Sequence, residues 1–306
     1  MVLRKVLLLT SSILFTLGII ISNPNTSFAD NNYIYSKKFT SPENSDFVSR
    51  NIETSEVEYY KINSSKNNPD EELSTGEYNP SKDNSQFSII GGDGRFKVTD
   101  TTKFPYSAIC KIEITWPNGD VSPGTAWMYH DNIAITAGHC VYDNQRGGWA
   151  KTIKVLPGKN GSSNPYGMAY SRTMHTSSNW VNGESDLYDY ALLELDRNIG
   201  NNTGWFGLKY TPSSLTGKNV SVTGYPVEKS SQMWSMSGNI ASSSSNKLYY
   251  SIDTTGGQSG SPIYWRDSEY GHMGVGIHAY GVTSSSSKNS GTRITKYMFD
   301  LFNSFR

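Results

Sequence analysis

The sequence contains little cysteine and has no excess of charge of either sign. Only two of its 306 residues are Cys. This is too few for a disulfide scaffold or a Cys-rich zinc module, so a packed core must supply most of the stability. Lys and Arg total 27, and Asp and Glu also total 27, which excludes a protein whose bulk property is binding polyphosphate or coating a membrane. The many Gly (28) and Tyr (20) residues favour short strands and turns over long helices.

An apolar run from Val6 to Ile21 follows the basic pair Arg4-Lys5 near the N-terminus. A basic start, an apolar stretch and then small residues are typical of a secretory signal peptide. Ser27-Phe28-Ala29 has small residues at a spacing that suits signal peptidase, so we expect a signal peptide over residues 1–29. The expected product is secreted and extracellular, with no stable membrane association once the signal is removed. An uncleaved membrane anchor is the alternative, but four hydroxyl residues interrupt the run.

Residues 30–87 are rich in Asn, Ser, Lys and Glu and contain few apolar residues. Such a segment buries too little apolar surface to offset the conformational entropy that it would lose on ordering. We therefore predict a propeptide over residues 30–87 that is largely disordered. A disordered tether to another part of the protein is the alternative.

From Ser88 onward, short apolar or alternating runs recur between turn clusters. Many short strands separated by Gly, Asn and Ser indicate an all-β barrel or sandwich, and the 219 residues from Ser88 to Arg306 suit two small packed barrels. Only the C-terminus has helical spacing. Apolar residues recur there at steps of three and four, which predicts a helix packed on a barrel. These residues are Ile294, Tyr297, Met298, Leu301, Phe302 and Phe305.

Three short motifs in this region carry residues suited to catalysis. They are His139 after the run Ile133–Ala137, Asp189 just before the run Ala191–Leu195, and Ser259 within Gly256–Pro262. Taken singly, each has a structural explanation, namely a hydrogen-bonded core His, a turn Asp and a Gly-Ser turn. Together they form a nucleophile, a base and an acid. A serine hydroxyl is a poor nucleophile until a base takes its proton and an acid holds that base in the right tautomer.

The order of these three residues and the residues around them resemble the chymotrypsin-like serine peptidases, and most closely the bacterial glutamyl endopeptidases. The resemblance runs from about Ser88 to the C-terminus, and the pair of motifs at Thr136–His139 and Gly257–Pro262 is specific. It implies an all-β fold of two packed six-stranded antiparallel β-barrels with a C-terminal α-helix. It also implies a serine endopeptidase made as a proenzyme, with its peptidase domain over residues 88–306.

The resemblance also assigns roles within the site. Ser259 attacks the scissile carbonyl, His139 takes its proton and later gives it to the leaving amine, and Asp189 orients the imidazolium. The backbone N–H groups of Gly257 and Ser259 form the oxyanion hole. Asp186 is a rival for the acid role, but Asp189 stands at the mouth of the apolar strand, as the family pattern requires.

The same resemblance assigns substrate choice to Thr254 and His278. In glutamyl endopeptidases, a Thr before the nucleophile and a His on the strand after it recognise an acidic side chain. A carboxylate in a partly dehydrated pocket needs a donor or a positive charge, and an ion pair at about 4 Å is worth up to about 4 kcal/mol before desolvation is subtracted. We therefore expect cleavage after Glu and less readily after Asp. A structural His278, and with it a same-fold protease of different specificity, is the alternative.

Residues 88–92, Ser-Ile-Ile-Gly-Gly, resemble the new N-terminus of trypsin-like zymogens. Those enzymes bury the freed amino group against an Asp just before the nucleophilic Ser, whereas this chain has Gln258 there. A trypsin-type internal ion pair is therefore excluded. The resemblance implies instead that the freed α-amino group, expected at Ser88, lies near the specificity pocket and contributes to substrate binding.

The two cysteines depart from the related sequences. Close Bacillus relatives have a Cys that pairs with the Cys after the catalytic His, and here Gly124 occupies that place. Only Cys110 is left to pair with Cys140. Secretion favours such a bond, which would contribute about 3 to 4 kcal/mol. Two free buried thiols are the alternative.

Other chemistries fit the sequence poorly. An α/β-hydrolase elbow would need Gly where Ser261 stands, and no His-Glu-x-x-His motif, zinc-spaced Cys cluster or P-loop occurs. We expect no metal or other cofactor, with structural calcium left open. The expected partners are protein and peptide substrates and no nucleic acid, and the expected state is a monomer. A non-catalytic, toxin-like binding homologue is the alternative to an enzyme, but such a protein usually lacks part of the triad.

Overall fold

The computed structural model describes residues 35–39, 45–62, 70–80, 94–282 and 287–306. The predicted signal peptide and Ser88 lie outside these residues, so both stay predictions. All of the described residues belong to one compact unit that spans Tyr33–Arg306.

Within these residues the secondary structure is mostly β-strand. The strands are β1 (Tyr35–Phe39), β2 (Phe47–Asn51), β3 (Val57–Ile62), β4 (Leu73–Ser74), β5 (Phe96–Lys97), β6 (Ile109–Thr115), β7 (Val121–Met128), β8 (Ile133–Thr136), β9 (Tyr142–Asp143), β10 (Gly148–Trp149), β11 (Thr152–Pro157), β12 (Ala169–Ser177), β13 (Ala191–Leu195), β14 (Gly207–Tyr210), β15 (Asn219–Gly224), β16 (Trp234–Ser243), β17 (Lys247–Tyr250), β18 (Pro262–Asp267), β19 (Gly271–Tyr280) and β20 (Asn289–Arg293). The helices are α1 (Ser178–Gly183), α2 (Gly200–Thr203) and α3 (Lys296–Asn303).

The first barrel closes from six antiparallel strands. Its order is β12-β11-β6-β7-β8-β13, and β12 also pairs with β13, which completes the ring. The strands form because apolar residues alternate with polar ones. In β6, for example, Cys110, Ile112 and Ile114 are buried while Lys111 and Glu113 are partly exposed. Successive side chains of a strand point to opposite faces, so this alternation turns one face of each strand to the core.

The second barrel also closes from six antiparallel strands. Its order is β18-β15-β16-β17-β20-β19, and pairing between β18 and β19 completes the ring. Its interior contains a cluster of buried apolar residues: Leu215, Val220, Val222, Ile240, Leu248, Tyr250, Ile252, Ile263 and Val275. The two closed barrels confirm the fold that the sequence resemblance implied.

The C-terminal helix expected from the apolar spacing is α3. Thr295 caps it, because its Oγ1 accepts a hydrogen bond from the backbone N–H of Met298 at 3.1 Å. Met298, Leu301 and Phe302 are buried in the core, and each contributes about 1.5 to 3 kcal/mol of transfer free energy. Neither α3 nor any other helix in the described ranges is long and apolar enough to cross a membrane.

The residues assigned from sequence to a largely disordered propeptide form strands where they are described. β3 pairs with β1 and β2, and β2 pairs with β12, so three strands extend the sheet of the first barrel. β4 pairs with β14, which runs parallel to β19 of the second barrel. The expectation of disorder is therefore wrong for residues 45–62 and 70–80. It failed because the barrels, and not the segment itself, supply the surfaces that bury these strands.

Candidate active site

His139 and Asp189 come together because His139 follows β8, Asp189 precedes β13, and these two strands are neighbours. His139 lies in a 3₁₀ turn, Gly138–Cys140, just after β8, and Asp189 lies just before β13. β8 and β13 are antiparallel neighbours, with Thr136 opposite Ala191. In an antiparallel pair the end of one strand lies beside the start of the other, so both residues lie at the same edge of the first barrel.

Asp189 accepts two hydrogen bonds from His139. The ring Nδ1 lies 2.8 Å from Oδ2, and the backbone N–H of His139 donates to Oδ1 at 2.9 Å. The Asp189 side chain is fully buried, whereas that of His139 is 28% exposed. A carboxylate that holds Nδ1 leaves Nε2 as the nitrogen that can take a proton from a nucleophile.

The pair shifts the pKa of both residues. Burial opposes ionisation of Asp189, but the charge of His139 and hydrogen bonds from His139 and Tyr280 outweigh it and hold the pKa of Asp189 below its ordinary value. Burial also disfavours the imidazolium of His139, but the Asp189 carboxylate raises the pKa of His139 above its ordinary value. Sequence analysis did not single out Tyr280. It lies at the end of β19, and only the packing of the two barrels brings its hydroxyl to Asp189.

Asp186, the rival acid, has a different partner. Its Oδ2 forms an ion pair with Lys247 Nζ at 3.2 Å, and its side chain is 60% exposed. Because a solvated carboxylate paired with a lysine is a weak orienting group for an imidazole, the geometry favours Asp189 as the acid.

Ser259 lies in a turn that is packed against the same edge of the first barrel. The backbone N–H of Thr125 donates to the Ser259 carbonyl oxygen at 2.8 Å, and the Cys140 thiol lies 3.9 Å from that oxygen. Gly260 has a φ of +87°, and a Cβ there would collide with the Thr125 carbonyl oxygen. Glycine therefore lets this turn approach β7, next to the turn that carries His139.

The backbone N–H groups of Gly257 and Ser259 point away from the two backbone hydrogen bonds that hold the Ser259 turn in place. The carbonyls that precede them are each held by a hydrogen bond, Gly256 O from Val227 N–H at 2.8 Å and Gln258 O from Ser261 N–H at 3.0 Å. The C=O and N–H of a trans peptide point in opposite directions, so both N–H groups point away from these partners. Neither donates to another backbone group among the described residues, which leaves both donors for a ligand, as an oxyanion hole requires.

Arg95 holds the residue that precedes Ser259. Its Nη1 donates to Gln258 Oε1 at 3.3 Å and to Thr255 Oγ1 at 3.1 Å, and its Nη2 forms an ion pair with Glu228 at 3.0 Å. Gln258 is buried and also accepts the Thr255 backbone N–H at 3.0 Å. A guanidinium therefore fixes this turn where activated trypsin-like enzymes have a buried ion pair. Sequence analysis identified Gln258 but not its partner, because 163 positions separate the two residues.

Replacing Arg95 by Ala should lower kcat about tenfold or more and change KM little. The guanidinium organises N–H donors that act on the transition state, and one such donor is typically worth about 10² to 10³ in rate. Steady-state kinetics on a peptide substrate, with added guanidinium ion as chemical rescue, measures the effect. Arg197→Ala is the matched control, because Arg197 is exposed and pairs with the adjacent Asp196. An equal loss in both variants, or no rescue, would contradict this role.

Thr254 and His278 flank the Ser259 turn, and Thr254 has a buried polar atom without a partner. Thr254 Oγ1 is buried and has no hydrogen-bond partner among the described residues. His278 is buried on β19 and is joined to the turn, because its carbonyl oxygen accepts the Gly260 N–H at 2.7 Å. Its ring Nδ1 lies 2.7 Å from the Tyr250 hydroxyl.

The ring of His278 is neutral. Burial, and then repulsion from His139, lower the pKa of His278 to about 3. A neutral ring carries one N–H, and this proton lies on Nε2 in the tautomer in which the Tyr250 hydroxyl donates to Nδ1. The sequence predicted that this pocket holds either a hydrogen-bond donor or a positive charge. A neutral His278 can offer an N–H donor and Thr254 an O–H donor, and neither carries a charge.

Cys110 and Cys140 are free, buried thiols, so the expected disulfide is wrong and the alternative is found. Cys110 lies opposite Ala126 on β7, whereas Cys140 lies beside Gly124, where an added Cβ would be 3.3 Å from its Sγ. Gly124 is the position at which the sequence resemblance places the pairing Cys, and glycine there offers Cys140 no thiol. Burial also raises the pKa of Cys110, which keeps this thiol protonated.

Comparisons with known proteins agree with this architecture. A family model described as Trypsin matches residues 96–299, which include both barrels. The chain is 44% identical over 218 residues to a glutamyl endopeptidase from Bacillus licheniformis, a match that covers 70% of this chain and 67% of the relative. It is also 44% identical over 223 residues to an extracellular metalloprotease from Bacillus subtilis, with 72% and 69% covered. A solved structure of a Glu endopeptidase in complex with MPD matches with a TM-score of 0.62 at 32% identity and covers 71% of this chain and 98% of that chain.

Proposed function

Because the chain belongs to the trypsin family of serine peptidases, and within it to the bacterial glutamyl endopeptidases, we propose that it is secreted as a proenzyme and hydrolyses proteins and peptides after Glu, and less readily after Asp. The observation that carries the catalytic assignment is the His139–Asp189 pair, joined at 2.8 Å at the barrel edge against which the Ser259 turn packs. Family membership makes the chain a serine endopeptidase. The residue roles, the specificity and the proenzyme are our proposal.

The proposed mechanism uses each group of the site once in each half of the reaction. Ser259 Oγ attacks the scissile carbonyl while His139 Nε2 takes its proton, and Asp189 stabilises the imidazolium that forms. The N–H groups of Gly257 and Ser259 bind the oxyanion, where one donor is typically worth about 10² to 10³ in rate. His139 then gives the proton to the leaving amine. Water, activated by the same imidazole, releases the acyl group from Ser259.

The names of the two Bacillus relatives suggest different chemistries, one of them metal-dependent. Among the described residues of this chain, no group of three or more His, Cys, Asp or Glu is placed to hold a metal ion, whereas the serine, imidazole and carboxylate lie at one barrel edge. A phosphonofluoridate should therefore inactivate the enzyme and label Ser259, as peptide mass spectrometry can locate. Retained activity after complete labelling of Ser259 would contradict the serine mechanism.

The proposed acidic specificity rests on the buried, unpaired Oγ1 of Thr254. A buried hydroxyl without a partner costs about 1 to 3 kcal/mol, and a substrate carboxylate would supply the missing acceptor. The Nε2–H of His278 would supply a second donor to the same carboxylate. A Gln side chain would present a carbonyl oxygen and an amide N–H₂ to these donors, and would therefore bind less well.

Replacing Thr254 by Val should reduce the preference for Glu over Gln about tenfold, measured as the ratio of kcat/KM on matched peptides. The melting temperature should not fall, because the lost hydroxyl makes no hydrogen bond with the protein. Thr173→Val, on β12 of the first barrel, is the control and should leave the ratio unchanged. Equal cleavage after Gln and Glu by the wild type, or a preference for Arg or Phe, would reject the proposed specificity.

Processing is proposed at residues outside those described. The signal peptide is expected to end at Ala29 and the mature chain to begin at Ser88, whose α-amino group would lie near the specificity pocket. Edman sequencing of the secreted enzyme identifies the N-terminal residue of the mature chain and shows whether all molecules begin at the same residue. A start well downstream of Ile90 would rule out this activation model.

A further inference from the structure

Residues 45–62 and 70–80, here called the docked segment, bind the first barrel by strand addition. β2 runs antiparallel to β12, with a register from Thr173 opposite Asn51 to Ser177 opposite Phe47. The contact continues beyond the strand, because Ser178 N–H donates to the Asp46 carbonyl oxygen at 3.2 Å. Added strands gain affinity from main-chain hydrogen bonds and specificity from alternate side chains.

The first residues of β2 are buried in the core on both faces of the strand. Phe47 and Val48 are both 0% exposed. The Phe47 ring stacks on His175 with centroids 5.7 Å apart and planes 2° apart, and meets Phe305 edge-on at 6.1 Å. Burial of an apolar side chain of this size favours the bound state of the segment.

A buried histidine links the docked segment to the barrel wall. His175 Nδ1 lies 2.6 Å from the Ser49 hydroxyl, and its Nε2 lies 2.9 Å from Glu194 Oε1. A ring with a partner on both nitrogens has all of its polar atoms satisfied, and removal of Ser49 would leave one of them buried without its partner.

The docked segment binds the second barrel separately. The N–H of Thr75 donates to Leu208 O at 2.9 Å, and Thr75 Oγ1 accepts the Leu208 N–H at 2.8 Å. Glu77 Oε2 accepts the backbone N–H of His272 at 2.6 Å and lies 2.7 Å from its Nδ1. Tyr78 packs on Trp205 with ring centroids 4.3 Å apart.

These contacts lie away from the candidate catalytic residues. The hydrogen bonds given above join the docked segment to β12 and the adjacent Ser178, to β14 and to His272 on β19, and not to the proposed catalytic or specificity residues. The docked segment therefore binds a surface that the peptidase reaction does not use. That surface is formed by the edges of β12 and β14.

We propose that the docked segment stays bound to this surface after the chain is cut within residues 81–93, so that the processed peptidase is a complex of two chain pieces. Each barrel binds one part of the segment, and residues 63–69 join the parts. Once one part is bound, the other faces its own site at an effective concentration of about millimolar, so release needs both contacts to open together. The proposal takes the place of the cut from the proposed function, but the binding itself does not depend on peptidase activity.

The test uses the full chain carrying Ser259→Ala and a recognition sequence for a site-specific protease in place of residues 82–87. After complete cutting, size-exclusion chromatography under native conditions should give one peak that contains both pieces in a 1:1 ratio. Separate elution of the N-terminal piece would overturn the proposal. Because this variant cannot process itself, a failure here is distinguishable from a failure of the proposed reaction, which phosphonofluoridate labelling of the wild type tests.

Paired valine variants test whether the mapped surface is responsible. Val48→Ala should speed release of the N-terminal piece about tenfold or more, because it removes buried methyl groups. Val57→Ala on β3 should change the rate less than about twofold, because Val57 is 39% exposed. Glu77→Gln probes the second barrel independently of the β2 contacts and should also speed release. Equal release rates for the Val48 and Val57 variants, or no effect of Glu77→Gln, would contradict the mapped contacts.

Discussion

Replacement of Ser259 by Ala is expected to lower kcat on a peptide substrate about 10⁶-fold. Loss of the nucleophile alone costs about as much rate as loss of the whole triad. His139 and Asp189 would still be joined at 2.8 Å, but the base would have no hydroxyl to activate. A residual rate about 10³- to 10⁴-fold above that in water should remain, because the oxyanion donors and substrate binding are unchanged. KM should change little for the same reason.

Ser261→Ala is the matched control for this loss. Ser261 lies two residues further along the same turn, and its Oγ is buried with no hydrogen-bond partner among the described residues. Its removal breaks no bond in the turn, so kcat should stay within about threefold of wild type. Hydrolysis of a Glu-containing peptide, with correct processing of each variant checked by N-terminal sequencing, measures both. A Ser259→Ala enzyme with wild-type activity would reject the nucleophile assignment.

Replacement of Asp189 by Asn is expected to lower kcat about 10⁴-fold with little change in fold. Asp189 now accepts from both the ring and the backbone N–H of His139. An amide in its place presents an N–H₂ group toward one of these donors, which favours the wrong tautomer of the imidazole. The Asp189 carboxylate also raises the pKa of His139. Its loss should lower that pKa, so the acid limb of the kcat/KM profile should move to lower pH.

Asp186→Asn distinguishes this effect from a general loss of negative charge near the site. Asp186 is three residues away, is 60% exposed and pairs with Lys247. Lys247 is buried but also donates to the Asp186 carbonyl oxygen at 3.2 Å, a bond that the substitution keeps, so Asp186→Asn should keep kcat within about threefold and leave the acid limb in place. The opposite pattern, with activity lost on changing Asp186 and kept on changing Asp189, would transfer the acid role to Asp186. Measurement of kcat/KM against pH for both variants decides between the two.

The barrels and the C-terminal helix could be predicted because their patterns are local. In β6 the apolar residues alternate along the strand, and in α3 they recur at helical steps, so each element reports its buried face within a few residues. Residues 47–51 and 73–74 carry no such signal. Phe47 and Val48 are buried only because β12 lies beside them, and the partner of a strand edge cannot be read from the strand's own sequence.

The candidate site also combines features with a local sequence pattern and features that depend on residues far apart in the chain. The motifs around His139, Asp189 and Ser259 indicated the proposed reacting groups, because each side chain needs a turn at the end of a strand and such turns leave short signatures. The specificity pocket at Thr254 and His278 stays a prediction of the sequence, which left open whether a donor or a positive charge would recognise the substrate there. Burial, and then repulsion from His139, lower the pKa of His278 to about 3, so a charge on this ring is excluded near neutral pH, and only the tertiary structure shows that burial.

The sequence by itself determined the two barrels, the C-terminal helix, the family and the residues that carry the proposed reaction, since all of these rest on short-range periodicity and contiguous motifs. Only the tertiary structure decided that Arg95 holds Gln258, that Tyr280 supports Asp189, that Cys110 and Cys140 stay unpaired, and that the docked segment adds strands to both barrels. Each of these depends on how closely residues far apart in the chain approach one another. The closure of the sheets sets those distances, and no local pattern in the sequence records them.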